Sequence, residues 1–546
     1  MKGNTIKKNP LLYISIIILG LQAVFLIYTN LFCIPETMDN DSAKVFVHAM
    51  EMWKNRTAYI PGWSPMTTLE LDCPLFLAVF FYGISHDIIL SFAIANLILA
   101  SFTAYIVYDI MRKMKIDLPV ILLTIASFFI PYSFGQLLYY NMTFFAAGQY
   151  CVKALVPLVM IDLMAWEKEK KWLFVALSAI EFFLCLICSL SSGVFVFLTG
   201  LLPVILCFAW FEYLGSDSLK KCIFNGKTYI CMAMTFASVL GVFISRRKGF
   251  IPAGADATLM DAEYIIDSIH NCISSYLQLL GAFPYEREKL VSLTVVACIF
   301  RIAVALFTVA AFIFIVKKTV KDMILYTKAE DPESTGRVNA FIRLNLTAVV
   351  LFDLFILWST GYSGQPRYFI PVFYMILIMS GITLCDLLGF VKTMRKGYMV
   401  FSVSVSVGII FATAVMSDIG VLRGKCWPGY LEDNRKLDGL MQVIDENEEK
   451  VVLFLNDTST AEQLRVLEHD GEKLILTYKT SGDEGDPVGF VAEDYYTRVT
   501  ESVSFDDPHL LIINEYTGNM EMLREFTDRE YTELGRHHNF TVYKCD

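Results

Sequence analysis

Charge is what this sequence has least of. Asp, Glu, Lys and Arg make up only 18% of its 546 residues, where a soluble chain carries about 25%. Several chemical signatures are missing as well. No glycine-rich phosphate loop and no defensible Ser/His/Asp pattern occurs in the water-facing tail, and no CxxC pair sits beside a matching Cys or His cluster. A structural zinc site and a nucleotide-binding tail are therefore not indicated. The 13 cysteines are scattered, many inside apolar runs (Cys185, Cys188, Cys207, Cys231, Cys298, Cys385), where a free thiol serves as a small packing residue. A Cys426–Cys545 bridge rests only on both residues lying in the tail.

What fills the gap is apolar: 55% of the chain, with a mean hydropathy of +0.52. Runs of roughly 20 apolar residues span a bilayer as helices. Such runs are Leu11–Phe32, Asp87–Ile110, Leu118–Gly135, Gln149–Ala165, Trp172–Leu190 and Val194–Glu212, then Thr228–Ser245, Leu290–Val316, Ala340–Ser359, Tyr368–Val391 and Met399–Ser417. The expected fold is a polytopic α-helical membrane protein with about eleven transmembrane helices. The first run is too long for a signal-peptide core and lacks an A-x-A-like exit, so it reads as a retained span.

Charge sign divides the chain. Residues 418–546 hold 13 basic against 28 acidic residues, a net of −15, while the first 417 have a net of +5. Lys and Arg collect on alternate connections: Lys2, Lys7 and Lys8; Arg112, Lys113 and Lys115; Lys168, Lys170 and Lys171. Lys220, Lys221 and Lys227, then Lys317, Lys318 and Lys321, and finally Lys392, Arg395 and Lys396 continue the series. The positive-inside rule makes that side cytoplasmic. A cytoplasmic N-terminus and an odd number of spans then put the acidic tail outside, in a multi-pass protein of the plasma membrane.

Two outer loops are long, 33–86 and 246–289. Cys73–Ser85 is too short to cross and is expected to lie along the outer interface or to dip in and return. In the second loop Ile265, Ile269, Ile273, Leu277 and Leu280 follow a helical period. The domain boundary falls at 423/424. Beyond it "KVVLFLN", "KLILTY", "HLLIIN" and "NFTVYK" read as strands and "TSTAEQLRVLEH" and "TGNMEMLREF" as helices, giving a small C-terminal extracytoplasmic α/β domain. "DTST" after the first strand is an N-cap signal.

Three features gather on the outer face. Glu36, Asp39 and Asp41 follow the first span, where carboxylates are costly unless paired or used. "DNDS" can cap a helix through Asn40 or Asp41, and a helix N-terminus also favours an ionised carboxylate, the form a general base needs. Next comes "TTLELDCPL", with Glu70 and Asp72 ahead of the interfacial segment; it also reads as a polar turn before Pro74. Interfacial Trp53, Tyr59, Trp63, Phe76 and Tyr82 surround these acids. Last, Arg246, Arg247 and Lys248 end one span and Arg367 opens another, on the side where the orientation rule disfavours cations. Headgroup anchoring accounts for one such residue; four ask for an anionic partner, either the acidic tail or a lipid phosphate, whose oxygens arginine matches with paired hydrogen bonds.

Asp39 with "HAMEMW" downstream, "LDCPL" at Leu71–Leu75 and "PRYFIP" at Pro366–Pro371 together resemble the GT-C glycosyltransferases. The similarity is to the branch using polyprenyl- or dolichyl-phosphate sugars, which includes protein mannosyltransferases and lipid A aminoarabinose transferases. Asn40 stands where that branch has a second acid, and Cys73–Pro74 where it has two prolines. The resemblance implies a GT-C-like fold, a polyprenyl-phosphate sugar as donor, membrane lipid around it, and a glycan, lipid or protein acceptor, with no nucleic acid. It further implies sugar transfer to an acceptor hydroxyl with inversion, as a hexosyl- or pentosyltransferase. Asp39 or Asp41 would be the base. Arg246, Arg247, Lys248 and Arg367, with Tyr368, would hold the lipid phosphate, and Glu70 and Asp72 the acceptor or the loop. No cofactor beyond the lipid-linked donor is implied, and a divalent metal has no ligand motif behind it. The rival classes are a transporter or flippase, which would use the intramembrane acids Glu181 and Asp353, and a non-catalytic scaffold of the same fold.

Overall fold

Helix length decides which apolar runs can cross a bilayer. The computed structural model describes residues 10–60, 69–134, 138–166, 171–214, 226–248, 259, 261–284, 289–326, 335–391, 396–423, 430–468, 473–478, 508–516, 518 and 530–545. Trp63, Cys426, part of the loop 246–289 and most of the stretch 517–526 lie outside them. The first span, α1 (Pro10–Phe32), is followed by α2 (Ile34–Thr37), α3 (Asn40–Asn55) and α4 (Leu75–Ser85). Then come α5 (Ile88–Lys113), α6 (Leu118–Phe129), the short α7 (Tyr139–Thr143), α8 (Cys151–Met164) and α9 (Lys171–Ser192). A π-helical turn, Phe197–Leu201, opens α10 (Leu202–Leu214). The later helices are α11 (Gly226–Lys248), α12 (Ile265–Leu279), α13 (Leu293–Tyr326), α14 (Thr335–Ser359), α15 (Ile370–Val391) and α16 (Lys396–Leu422).

Among the described residues eight helices are long and apolar enough to cross: α1, α5, α9, α11 and α13 to α16. The sequence count of about eleven differs at three runs. Helix α6 stops at Phe129 because Ile130 takes an extended conformation ahead of Pro131, as residues before proline do. Helix α8 has 14 residues and the run from Val194 is broken by its π-helical turn. The expected helices at Leu75–Ser85 and Ile265–Leu279 are present.

Two compact units emerge. The first comprises Met1–Tyr28, Thr67–Pro74 and Asn96–Trp427. Helix α15 lies at its centre: 89% of that span is buried, against 22% for α16 and 33% for α13. Exposed Phe243 on α11 and Leu306 on α13 give these outer helices the apolar surface that lipid requires. Helices α9 and α11 pack closely because Gly241 has no side chain: a Cβ there would stand 2.7 Å from the Leu186 carbonyl oxygen, the small-residue contact common between membrane helices.

The second unit is Thr29–Met66, Leu75–Ala95 and Pro428–Asp546. Its sheet has strands β1 (Val451–Leu455), β2 (Leu474–Tyr478), β3 (His509–Asn514), β4 (Thr532–His537) and β5 (Phe540–Cys545) in the order β2-β1-β3-β5-β4. The first three are parallel, and β5 and β4 are antiparallel. Helices α17 (Tyr430–Asp445) and α18 (Thr458–Leu467) contribute Leu437, Leu440, Ala461 and Leu464 to a core with Val452, Phe454, Leu510, Ile512 and Val542. The cap expected from "DTST" is Asp457, whose carboxylate accepts from the Thr460 N–H at 3.1 Å. Strand β4 was not legible in the sequence: it is an exposed edge carrying Glu533 and Arg536, and charge rather than apolar alternation is how edges avoid pairing.

Candidate active site

In the first unit a polar cluster forms around Asp72. Its turn is tightly specified. Glu70 adopts φ +63°, rare for a residue with a side chain; the Ser191 hydroxyl accepts the Leu71 N–H at 3.0 Å, and the Cys73 thiol donates to the Glu70 carbonyl at 2.8 Å. Pro74 fits against Gly148, whose φ of +49° and missing Cβ let the two segments touch. This turn aims Asp72 inwards, with its side chain 1% exposed. Lys153, one turn into α8, lies 3.1 Å from the Asp72 carboxylate and is itself only 8% exposed. The Ser192 hydroxyl at the end of α9 donates to the same oxygen at 2.5 Å. A carboxylate and an ammonium buried this deeply are stable only with such mutual pairing.

Lys153 links the pair to an aromatic wall. Its ammonium also donates to the Gln149 carbonyl at 3.0 Å and stands 4.6 Å from the centre of the Tyr150 ring, a cation–π distance. Tyr150 is buried, hydrogen-bonds Tyr368, and lies within electrostatic reach of both Asp72 and Arg367. The Tyr368 ring contacts Tyr362 at 4.7 Å, Tyr150 at 5.8 Å and Phe195 at 6.0 Å. Arg367 projects from the 3-10 turn Pro366–Phe369, its guanidinium 5.2 Å over the Tyr368 ring. Its Nε is buried and has no hydrogen-bond partner. A buried unpaired donor on a cation costs free energy, and an anion would relieve it. The segment leading into the turn that carries Arg367 is fixed by α12: Ser275 donates to the Ser363 carbonyl and Ser268 to the Trp358 carbonyl, both at 2.7 Å.

Asp72, Arg367 and Tyr368, singled out in the sequence, thus meet around Tyr150 and Lys153, with Glu70 two residues from Asp72. Arg246, Arg247 and Lys248 do not enter this buried cluster; they form the exposed last turn of α11. Lys153 and Tyr150 escaped the sequence reading, although a lysine inside the apolar run Gln149–Ala165 is itself a signal.

In the second unit Asp39 is the N-cap of α3. Its Oδ1 accepts the Ser42 N–H at 2.7 Å, so it is Asp39, rather than Asn40 or Asp41, that caps. Asp41 lies in the first turn and is half-buried. Asp39 is 5% exposed, and burial pushes its carboxyl from 3.8 up to about 6, with the Ser42 hydrogen bonds pulling it down and Asp41 adding to the rise. Lys44 and His48, on the same side of α3 as Asp41, are buried too.

No protein-family model and no curated protein matches this sequence. Among solved structures the chain is similar to ArnT from Cupriavidus metallidurans in the apo state, with a TM-score of 0.55 and 11% identity over 97% of each chain. It is similar also to ArnT from the same organism bound to undecaprenyl phosphate, with a TM-score of 0.51 and 10% identity over 97% of each chain. The chain has an ArnT-like fold, mostly helical, with eight helices among the described residues long and apolar enough to cross a membrane and a small C-terminal sheet domain.

Proposed function

We propose that the protein is an integral-membrane glycosyltransferase that moves a sugar from a polyprenyl-phosphate carrier to an acceptor hydroxyl on the outer face of the membrane. One observation carries the reading: a full-length likeness to a fold solved with undecaprenyl phosphate bound coincides with an arginine whose buried Nε lacks a partner, near a tyrosine that a buried lysine also contacts.

The chemistry is an inverting displacement. Asp39, or Asp41 in its place, accepts the proton of the acceptor hydroxyl. The oxygen attacks the anomeric carbon from the side opposite the phosphate, and the bond from that carbon to the phosphate oxygen breaks. Negative charge grows on the departing lipid phosphate, where fixed cations stabilise it most. Arg367 fits that role, with Tyr368 and Tyr150 as hydroxyl donors. Lys153 adds positive charge, held in place by Asp72, which Ser192 in turn holds. Glu70 and Asp72 order the acceptor-side turn, and the exposed Arg246, Arg247 and Lys248 suit headgroup phosphates at the rim. A carboxyl near 6 is ionised at neutral pH and more basic than an ordinary aspartate, which favours proton abstraction.

The test uses proteoliposomes and a labelled polyprenyl-phosphate sugar. Transfer to acceptor is expected from the intact chain. One of Asp39→Asn and Asp41→Asn should lose it by about 100-fold or more, as removal of a general base does, with folding retained. Full activity in both variants removes the base. Movement of label across the bilayer without transfer favours the transporter reading, in which the buried acids Glu181 and Asp353 take part.

A further inference from the structure

The residues just before Asp39 meet the C-terminal domain. Within the second unit α18 packs along α3, and α17 against α2. Between α2 and α3 the chain passes through the extended residues Met38 and Asp39. Met38 is 1% exposed, and the Gln463 side-chain Nε2 donates to its carbonyl at 2.9 Å. Gln463 lies on α18, whose Ala461 and Leu464 are fixed in the sheet core and whose N-terminus is locked by Asp457, Thr460 and Asn514 through bonds of 2.7 Å. A rigid domain therefore ends in one amide that grips the peptide leading into Asp39.

That peptide matters because the Asp39 backbone controls the cap. An N-cap carboxylate reaches the amide three residues on only with its own backbone extended, and Asp39 shows φ −96° and ψ 171°. Turning the Met38–Asp39 peptide would swing the carboxylate off Ser42.

We propose that Gln463 is a positioning residue: the C-terminal domain sets the orientation of Asp39 through the Gln463 bond to the Met38 carbonyl. The functional half of this inference rests on Asp39 being the base; the structural half does not. Gln463→Met keeps the length and removes the donor, and Gln463→Glu keeps the shape with an acceptor in its place.

The experiment uses the full chain in lipid nanodiscs and two readouts. Hydrogen exchange reports the Ser42 amide that Asp39 protects; transfer kinetics report the reaction. Both variants should exchange at least fivefold faster in the peptide containing Ser42, with exchange in β1 and β3 unchanged. They should lose at least fivefold in kcat, with the donor KM within twofold and the acid limb of the pH profile displaced. Unchanged exchange at Ser42 in Gln463→Met overturns the proposal, and so does faster exchange with unchanged kcat. If Asp39→Asn itself stays active the base assignment fails alone, because the exchange measurement still decides whether Gln463 orders the cap. Faster exchange throughout the domain in Gln463→Met, with Gln463→Glu normal, marks a folding defect and also overturns it.

Discussion

Asp39 combines two demands that pull against each other. As a cap it gains from ionisation, since the helix N-terminus favours negative charge; as a buried side chain it loses solvation, and burial wins, raising the carboxyl from 3.8 to about 6. The consequence for stability has a definite sign. Between these two values the unfolded chain gives up its proton while the folded one keeps it. Stability therefore falls as pH rises through that window, and the loss is complete above it, about 3 kcal/mol at full effect. Asp39→Asn, which can still cap, is expected to unfold at a higher temperature than the parent at pH 7.5 and at the same temperature near pH 4. The parent's kcat/KM should drop about tenfold per unit below pH 6, the slope of a single required base. The Lys153–Asp72 pair behaves differently, because both charges are buried and paired. Lys153→Met strands the carboxylate and should cost about 3–5 kcal/mol, whereas Lys153→Met with Asp72→Leu should recover much of it. Equal unfolding temperatures for the single and double variants would contradict that account.

Elements are held by small contacts placed where helices nearly touch. Helices α9 and α11 owe their separation to Gly241, where an added Cβ would stand 2.7 Å from the Leu186 carbonyl oxygen and 2.8 Å from the Ser189 Cβ. Because α9 ends in Ser191 and Ser192, which hold the Leu71–Asp72 turn, crowding that interface acts on the turn. Gly241→Leu is expected to destabilise by about 1–3 kcal/mol, the usual cost of overpacking, and to weaken donor use beyond what the lost stability explains. Thermal unfolding and donor KM measured on one preparation check both halves. In the C-terminal domain the edge strand β4 contributes charge rather than apolar contact, with Arg536 near Glu533 and Glu515 at 3.5 and 3.6 Å. Such exposed pairs add little stability.

For the whole molecule, lysine and arginine placement predicts an acidic domain outside the cell, and that expectation has a direct experiment. Arg536 is 65% exposed on the β4 edge, so Arg536→Cys should react with a membrane-impermeant maleimide on intact cells. Labelling only after permeabilisation would reverse the orientation and move the acidic domain to the cytoplasm. The second unit joins the first-loop stretch Thr29–Met66 to the chain from Pro428 onward. The acidic tail is therefore part of the structure that carries Asp39.

Sequence by itself determined the membrane character, the long helices and the existence of strands β1 to β3, because each is written as a local apolar run or period. It also marked Asp39, Asp72, Arg367 and Tyr368 as charges or rings out of place. Partnership was another matter. Asp72 reaches Lys153 across 81 positions of chain and Gln463 reaches Met38 across 425, and neither spacing leaves any local pattern to read. Likewise α6 is shorter than its apolar run, because a proline ends a helix that hydropathy alone would extend. Which buried charge pairs with which, and which amide grips the peptide before Asp39, was decided by tertiary packing: desolvation makes an unpaired buried group so costly that only the folded chain, bringing distant residues together, can satisfy it.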